Sequence, residues 1–445
     1  MSNVEEQLNA ARNNVESLNK DLASFKITGE HHKEKCDEVL STLPSIDDPK
    51  TKLKAKHKAI IYYVKGAVYD LSAKYVKEAE ENLSKAVKFD PSAINAWNSL
   101  GHTLWKKADL LAAQDCYLNA IQIKQNKVSY RELSRILRLI DPRRQLQKKQ
   151  STDVSDKTEQ ERLRDQLFSN AAESIEMAKK AVSMDVSDGE SWYLLGHSYI
   201  NVFMSKTLSV SDIESALKAF QQAQNDESMT KNPDLYYNRA IVYKYLELYQ
   251  SAHDDLKIAF ELDPSLKKDG QPSPLEEIKQ LFEKIQLQFT KYQNITAKQK
   301  ANLMEKIPTD FWNTLNLMFN NKANFKNANL KDLSIGVNSG LVLSLKVISC
   351  VTPESNIPSV FVCIDKNGDE CVVSVYNVQY KAIRGGDILS IPSPSFNNTT
   401  LQESGVTRQF QHIRIPNAQI TLFVNQQPLQ KDQLVTPSMS VQTFM

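Results

Sequence analysis

The sequence predicts an all-α solenoid of paired helices followed by a small all-β barrel. Three observations carry that expectation. Apolar residues recur at helical spacing up to about residue 333, a motif of fixed small and aromatic positions returns five times between residues 59 and 264, and β-branched runs such as LVLSLKVISCV, SVFVCID and ECVVSVYNV take over afterwards. Six of the 12 glycines lie beyond residue 333, where short strands need frequent turns. The expected organisation is an N-terminal helical segment (1–56), a repeat array with a closing helix (57–295), a linker (296–333) and the β domain (334–445).

Val4, Leu8, Ala11, Val15, Leu18, Leu22 and Phe25 step by four and three, which holds one apolar stripe on one helix face. Three heptads suit a helix capping the next domain better than a coiled-coil seam. The segment AWNSLGHTLWKKADLLAAQDCYLNAIQIK then places Trp97, Leu100, Gly101, Leu104, Ala113, Tyr117 and Ala120 at the positions of a tetratricopeptide repeat. A first copy uses Tyr62, Gly66, Tyr69, Ala79, Leu83, Ala86 and Pro91. The third is split: Tyr130, Leu133 and Leu137 supply one helix and Ser174, Ala178 and Ala181 the other, with the polar stretch 141–160 read as a mobile insertion. A fourth uses Trp192, Leu195, Gly196, Tyr199, Ala216, Phe220 and Ala223, interrupted around NVFMSKTLSV, and a fifth runs without interruption from Tyr236 to Pro264. The amphipathic segment LEEIKQLFEKIQLQFTKY closes the array, and one short helix is expected in the linker at FWNTLNLMF.

In the β segment, strands follow one another through an Asp365-Lys366-Asn367-Gly368 hairpin and a Gly-Gly-Asp turn. Five or six short strands in this order resemble the oligonucleotide/oligosaccharide-binding (OB) barrel, with a small β-sandwich as the alternative.

The strings NKVSYRELSRILR, SWYLLG, NPDLYYNRAIVYKY, GVNSGLVLSLKV, VYNV and GDILSIPSP are similar to those of the tetratricopeptide repeat protein 5 family, also called Strap, of stress-responsive cofactors. The resemblance covers most of the chain after residue 57 and implies an OB barrel. It further implies recognition of the N-terminal Met-Arg-Glu segment of nascent tubulin at the ribosome, coupled to tubulin mRNA decay. The other role it implies is that of a nuclear cofactor scaffolding an acetyltransferase co-activator, so both cytoplasm and nucleus are expected.

Positions 2, 5, 9 and 12 of each repeat face the groove in such an array. They present Asn95, Asn98, His102 and Trp105; then Arg131, Arg135 and Arg138; then Glu190, Tyr193 and His197; then Asp234, Tyr237 and Lys244. The three arginines make one basic stripe suited to a carboxylate, while Asp234 suits a basic side chain. The resemblance matches Arg138 and Asp234 to the residues that take the peptide's glutamate and arginine. Asn232, Pro233 and Asp234 also read as a helix start.

His102 and His197 lack the companions a metal site needs, and no cofactor is expected. Cys36, Cys116, Cys350, Cys363 and Cys371 are scattered and read as reduced thiols. The P-loop, zinc-protease and nucleophile-elbow motifs are missing, so no enzyme is expected. Phe361, Tyr376 and Phe410 offer stacking surfaces for single-stranded nucleic acid, but seven basic and seven acidic residues in 334–445 predict weak binding. With no 18-residue apolar run and no secretory start, neither membrane association nor export is expected.

Overall fold

The computed structural model describes residues 2–23, 30–46, 53–141, 157–204, 209–267, 270, 272–318, 324–352, 358–379 and 381–434. Residues 142–156, most of the expected insertion in repeat three, and 205–208, within that of repeat four, lie outside them, as does Phe25. Two compact units emerge, Met1–Leu235 and Tyr236–Gln442.

The first unit begins with α1 (Ser2–Ala23) and α2 (Glu30–Ser41). Leu8, Ala11, Val15 and Leu18 of α1 are buried, and the last three join Tyr63, Val64 and Ala67 in one core, so the stripe caps the first repeat. Repeat one is α3 (Ala55–Asp70) and α4 (Lys77–Phe89), and repeat two is α5 (Ile94–Lys106) and α6 (Leu110–Ile123). Repeat three pairs α7 (Lys127–Leu139) with α8 (Lys157–Met184), a helix that starts well before the motif residues and takes in the tail of the expected insertion. Repeat four is α9 (Gly189–Val202) and α10 (Val210–Ala223).

Small residues sit where helices touch. A Cβ on Gly101 would lie 2.8 Å from the Tyr117 ring, and one on Gly196 would lie 2.6 Å from Phe220. Either clash forces the paired helices apart, which is why the motif demands glycine there.

The second unit holds most of repeat five, α11 (Pro233–Tyr245) and α12 (Tyr249–Leu262), then α13 (Pro274–Gln293), begun by a Ser273–Glu276 capping box. The stretch expected as a linker with one helix carries two, α14 (Ala297–Glu305) and α15 (Phe311–Met318). α14 buries none of its residues, so apolar spacing could not announce it; Thr296 and Gln299 cap it instead.

Among the described residues ten strands form one sheet. They are β1 (Lys326–Ala328), β2 (Gly336–Val337), β3 (Leu341–Cys350), β4 (Ser359–Ile364), β5 (Glu370–Val375), β6 (Ile388–Pro392), β7 (Ser395–Glu403), β8 (Val406–Ile415), β9 (Phe423–Val424) and β10 (Gln427–Pro428). β3 pairs β4 and β6, β4 pairs β5, β5 pairs β8 in parallel, and β8 pairs β7. The chain passes from β6 to β7 through Ser393 and Pro394, so one bent strand bonds β3 with its first half and β8 with its second. That closes the OB barrel and decides against a sandwich. Leu343, Leu345, Val347, Cys363, Val373 and Ile413 help fill its interior. Its outer face contributes Val360, Val362, Val372, Leu401 and Phe410 to one core with repeat five and α13.

Candidate functional site

Helix α7 starts at Asn126, whose side chain accepts the Ser129 N–H at 2.9 Å. Tyr130, Leu133, Ile136 and Leu137 then turn inward, leaving Arg131, Arg135 and Arg138 half-buried on the remaining face. The three arginines differ in what they meet. Arg131 Nη1 lies 2.7 Å from Glu190 and 3.5 Å from Asp188, and its Nε lies 3.2 Å from Glu132. Arg135 lies 3.2 Å from Glu190 and 3.3 Å from Glu132, with its guanidinium 5.3 Å from the Trp105 ring centre. Arg138 is half-buried and has no ion pair among the described residues, and its buried Nε has no hydrogen-bond partner.

The stripe expected to act as a set is therefore two arginines already held by carboxylates and one that is not. Burial, and then the neighbouring Arg135 charge, push the Arg138 guanidinium below its ordinary range. Burial opposes ionisation of Glu132, but Arg135 and Arg131 outweigh it and hold that carboxyl low. Glu190 serves as the shared partner of Arg131 and Arg135. Sequence reasoning missed Glu132 and Asp188; the Glu132–Arg135 spacing of three was the one available signal.

His197 is buried, packed edge-on against Tyr193 at 4.5 Å and Phe220 at 5.4 Å. Burial first, then the charges of Arg138 and Arg135, push its pKa well below the usual histidine range, so it is a neutral ring at pH 7. His102 Nδ1 lies 2.7 Å from Asp70, and its ring stacks on Trp105 at 5.4 Å. Asn98 accepts the Ser129 hydroxyl at 2.6 Å, and Asn95 donates to Glu16 of α1 at 3.0 Å. Asp234 is buried in the first turn of α11, and Asn232 accepts its N–H at 2.9 Å as a helix cap.

The other two expected residues belong to the second unit. Tyr237 is buried against Phe260 at 6.3 Å, and Lys244 pairs with Glu277. Among the described residues no group of three histidine, cysteine or acidic side chains is placed to hold a metal ion.

The aromatics expected to stack bases are not available for it. Phe361 fills the barrel interior, Phe410 packs on Phe282 at 4.9 Å, and the Tyr376 hydroxyl shares its one proton between two acceptors, Tyr245 O at 2.7 Å and Glu247 at 2.9 Å. Strand alternation names two faces but not which is covered, and here helices cover the outer one. Glu247 adopts φ 62°, a left-handed value that costs a non-glycine residue about 1 kcal/mol. Its carboxylate also lies 3.3 Å from His412 Nε2 and 3.7 Å from Arg414 Nε.

Fold and groove together define a tetratricopeptide-repeat scaffold of adaptor type carrying an OB barrel. A tetratricopeptide repeat model matches residues 94–127, and the model described as the Tetratricopeptide repeat protein 5 OB fold domain matches 324–438. Tetratricopeptide repeat protein 5 of Homo sapiens is 33% identical over 381 residues, 83% of this chain and 81% of its own. That of Mus musculus is 31% identical over 416 residues, 91% of this chain and 88% of its own. The chain belongs to the tetratricopeptide repeat protein 5 family. Among solved structures, YrrB, "a TPR protein with an unusual peptide-binding site", aligns with 48% of this chain and 90% of its own at 18% identity, with a TM-score of 0.32. Among the described residues no helix is long and apolar enough to cross a membrane.

Proposed function

We propose that the groove binds the N-terminal Met-Arg-Glu segment of nascent tubulin at the ribosome, and that the bound adaptor recruits the factors that degrade tubulin mRNA. Arg138 takes the peptide glutamate and Asp234 its arginine. Asn98, His102 and His197 line the path, while Arg131, Arg135 and Glu190 hold its wall in shape; Tyr237 and Lys244 act through the fold of repeat five. The observation that carries this reading is Arg138, a half-buried cation with no ion pair among the described residues, next to two arginines that have them. A ligand carboxylate supplies the missing charge-assisted hydrogen bonds.

The test is a titration of labelled Met-Arg-Glu-Ile into the whole chain. Arg138→Ala is expected to weaken binding by about 1.5–3 kcal/mol, the worth of a hydrogen bond to a charged group. Replacing the peptide glutamate by glutamine should cost the unaltered protein a similar amount and the Arg138→Ala protein almost nothing further. Additive losses would break the pairing. The alternative role, a nuclear stress cofactor whose barrel contacts nucleic acid, has less support, because the aromatic stacking surfaces are buried and the domain's charges balance.

A further inference from the structure

A second recess lies wholly within the Tyr236–Gln442 unit. It has a volume of about 270 Å³ and opens between the turn Leu246–Ser251 and residues Asn397–Thr400 of β7, with His412 in its wall. It runs along a strand edge. β7 bonds β8 over its whole length, but on the other side β2 reaches only Ser395 and Phe396.

The N–H and C=O of alternate residues in a strand point to the same side. Pro394 C=O accepts from Asn338 N at 3.0 Å, and Gln402 N–H donates to Gln250 Oε1 at 2.7 Å, both on the side away from β8. Asn398 and Thr400 share that parity, so their main-chain groups face the recess, and among the described residues nothing pairs with them there. Open edges are ordinarily blunted by lysine, proline or a bulge. Asn397, Asn398 and Thr400 are exposed and offer none of these.

The recess also has a sign. Glu247 contributes a carboxylate, no lysine or arginine lines it, and Asp254, bonded to Gln250 at 2.9 Å, stands beside it. Arg414 approaches Glu247 from the barrel side and is not part of the lining.

We propose that the β7 edge at Asn398 and Thr400 is a strand-addition site for an extended peptide of a partner protein, one that places a lysine or arginine side chain in the recess beside Glu247. Main-chain bonds to the edge supply affinity, and the basic side chain supplies choice. The site is separate from the repeat groove and does not depend on the peptide proposed there.

The probe is a fluorescein-labelled Ser-Val-Lys-Val-Ser peptide, titrated into the full chain and followed by anisotropy and amide exchange. Saturable binding is expected, with slowed exchange at the Asn398 and Thr400 amides. Thr400→Pro deletes an edge N–H that β8 does not use, so it should weaken binding about tenfold or more with the melting temperature little changed. A peptide N-methylated at alternate residues should show the same loss on the unaltered protein, which keeps the test valid if the proline variant folds poorly. Lysine replaced by glutamate should also abolish binding. Equal binding by the N-methylated or the glutamate peptide overturns the proposal, as does no saturable binding. A concentration-dependent dimer lost in Thr400→Pro overturns it too, because the edge then pairs with a second copy.

Discussion

The groove of repeats three and four and the seam between repeat five and the barrel use the same side chains to opposite ends. In the seam, Glu247, Tyr376, His412 and Arg414 meet one another, and within repeat five the buried Arg239 binds Asp255 through two contacts of 2.6 and 2.8 Å. Each charge named there meets a partner within the fold, although Glu247 also lines the recess beside β7. In α7, Arg131 and Arg135 are answered by Glu132, Asp188 and Glu190, and Arg138 has no ion pair among the described residues. Removing a partner from a closed network strands a buried charge, whereas removing a cation that has no partner relieves one. Within α7 the difference separates two arginines that carboxylates hold in place from one that has no ion pair among the described residues.

The largest effect is expected at Glu247. Glu247→Ala takes the carboxylate away from His412 and Arg414, leaves the Tyr376 hydroxyl to Tyr245 O alone, and should destabilise the second unit by about 3–5 kcal/mol in urea unfolding. Glu247→Gly should cost about 1 kcal/mol less, since glycine accepts φ 62° freely. Equal losses would mean the backbone is not strained there.

Next comes the contrast inside α7. Arg131→Ala should cost about 2–4 kcal/mol of stability, because Glu190 and Asp188 lose a cation in a half-buried setting. Arg138→Ala should leave thermal unfolding unchanged or slightly raised while weakening the peptide. If both variants destabilise alike, Arg138 has a structural role and the contrast fails.

The smallest effect is the pH dependence. The folded-state pKa of His197 lies well below its ordinary value, so between pH 6.5 and that folded value the unfolded chain binds the extra proton. Stability should fall as pH drops from 7 to 5, by at most about 1.4 kcal/mol per pH unit for this one ring. His412 has a lowered pKa for the same first reason, burial, and adds to the slope. His197→Phe should flatten the part that belongs to the first unit; an unchanged slope would place the ionisation elsewhere.

The repeats were legible because helix pairs can approach only over small residues, and Gly101 against Tyr117 or Gly196 against Phe220 puts that requirement into the sequence. The barrel was legible from β-branched runs and turn glycines, and its closure through Ser393–Pro394 was not, since the split of one strand between two neighbours leaves no mark in composition. At the site, the shared face of α7 that carries Arg131, Arg135 and Arg138 could be counted from the motif. That Arg131 and Arg135 would be consumed by Glu190 could not, because this depends on the offset of one repeat against the next rather than on spacing within either.

Ala108 in repeat two and Glu247 in repeat five occupy the same turn, both at φ 62°, and both close the preceding helix through paired bonds to its last carbonyls. One turn carries a methyl group and the other the barrel's anchor. Repeat proteins lengthen by copying a unit into the row, and the turn of repeat two can be copied without consequence. A copy of repeat two set after repeat five could not stand there, because its turn carries Ala108 where the barrel needs the Glu247 carboxylate. The array is thus open to growth at its earlier junctions and fixed at its last.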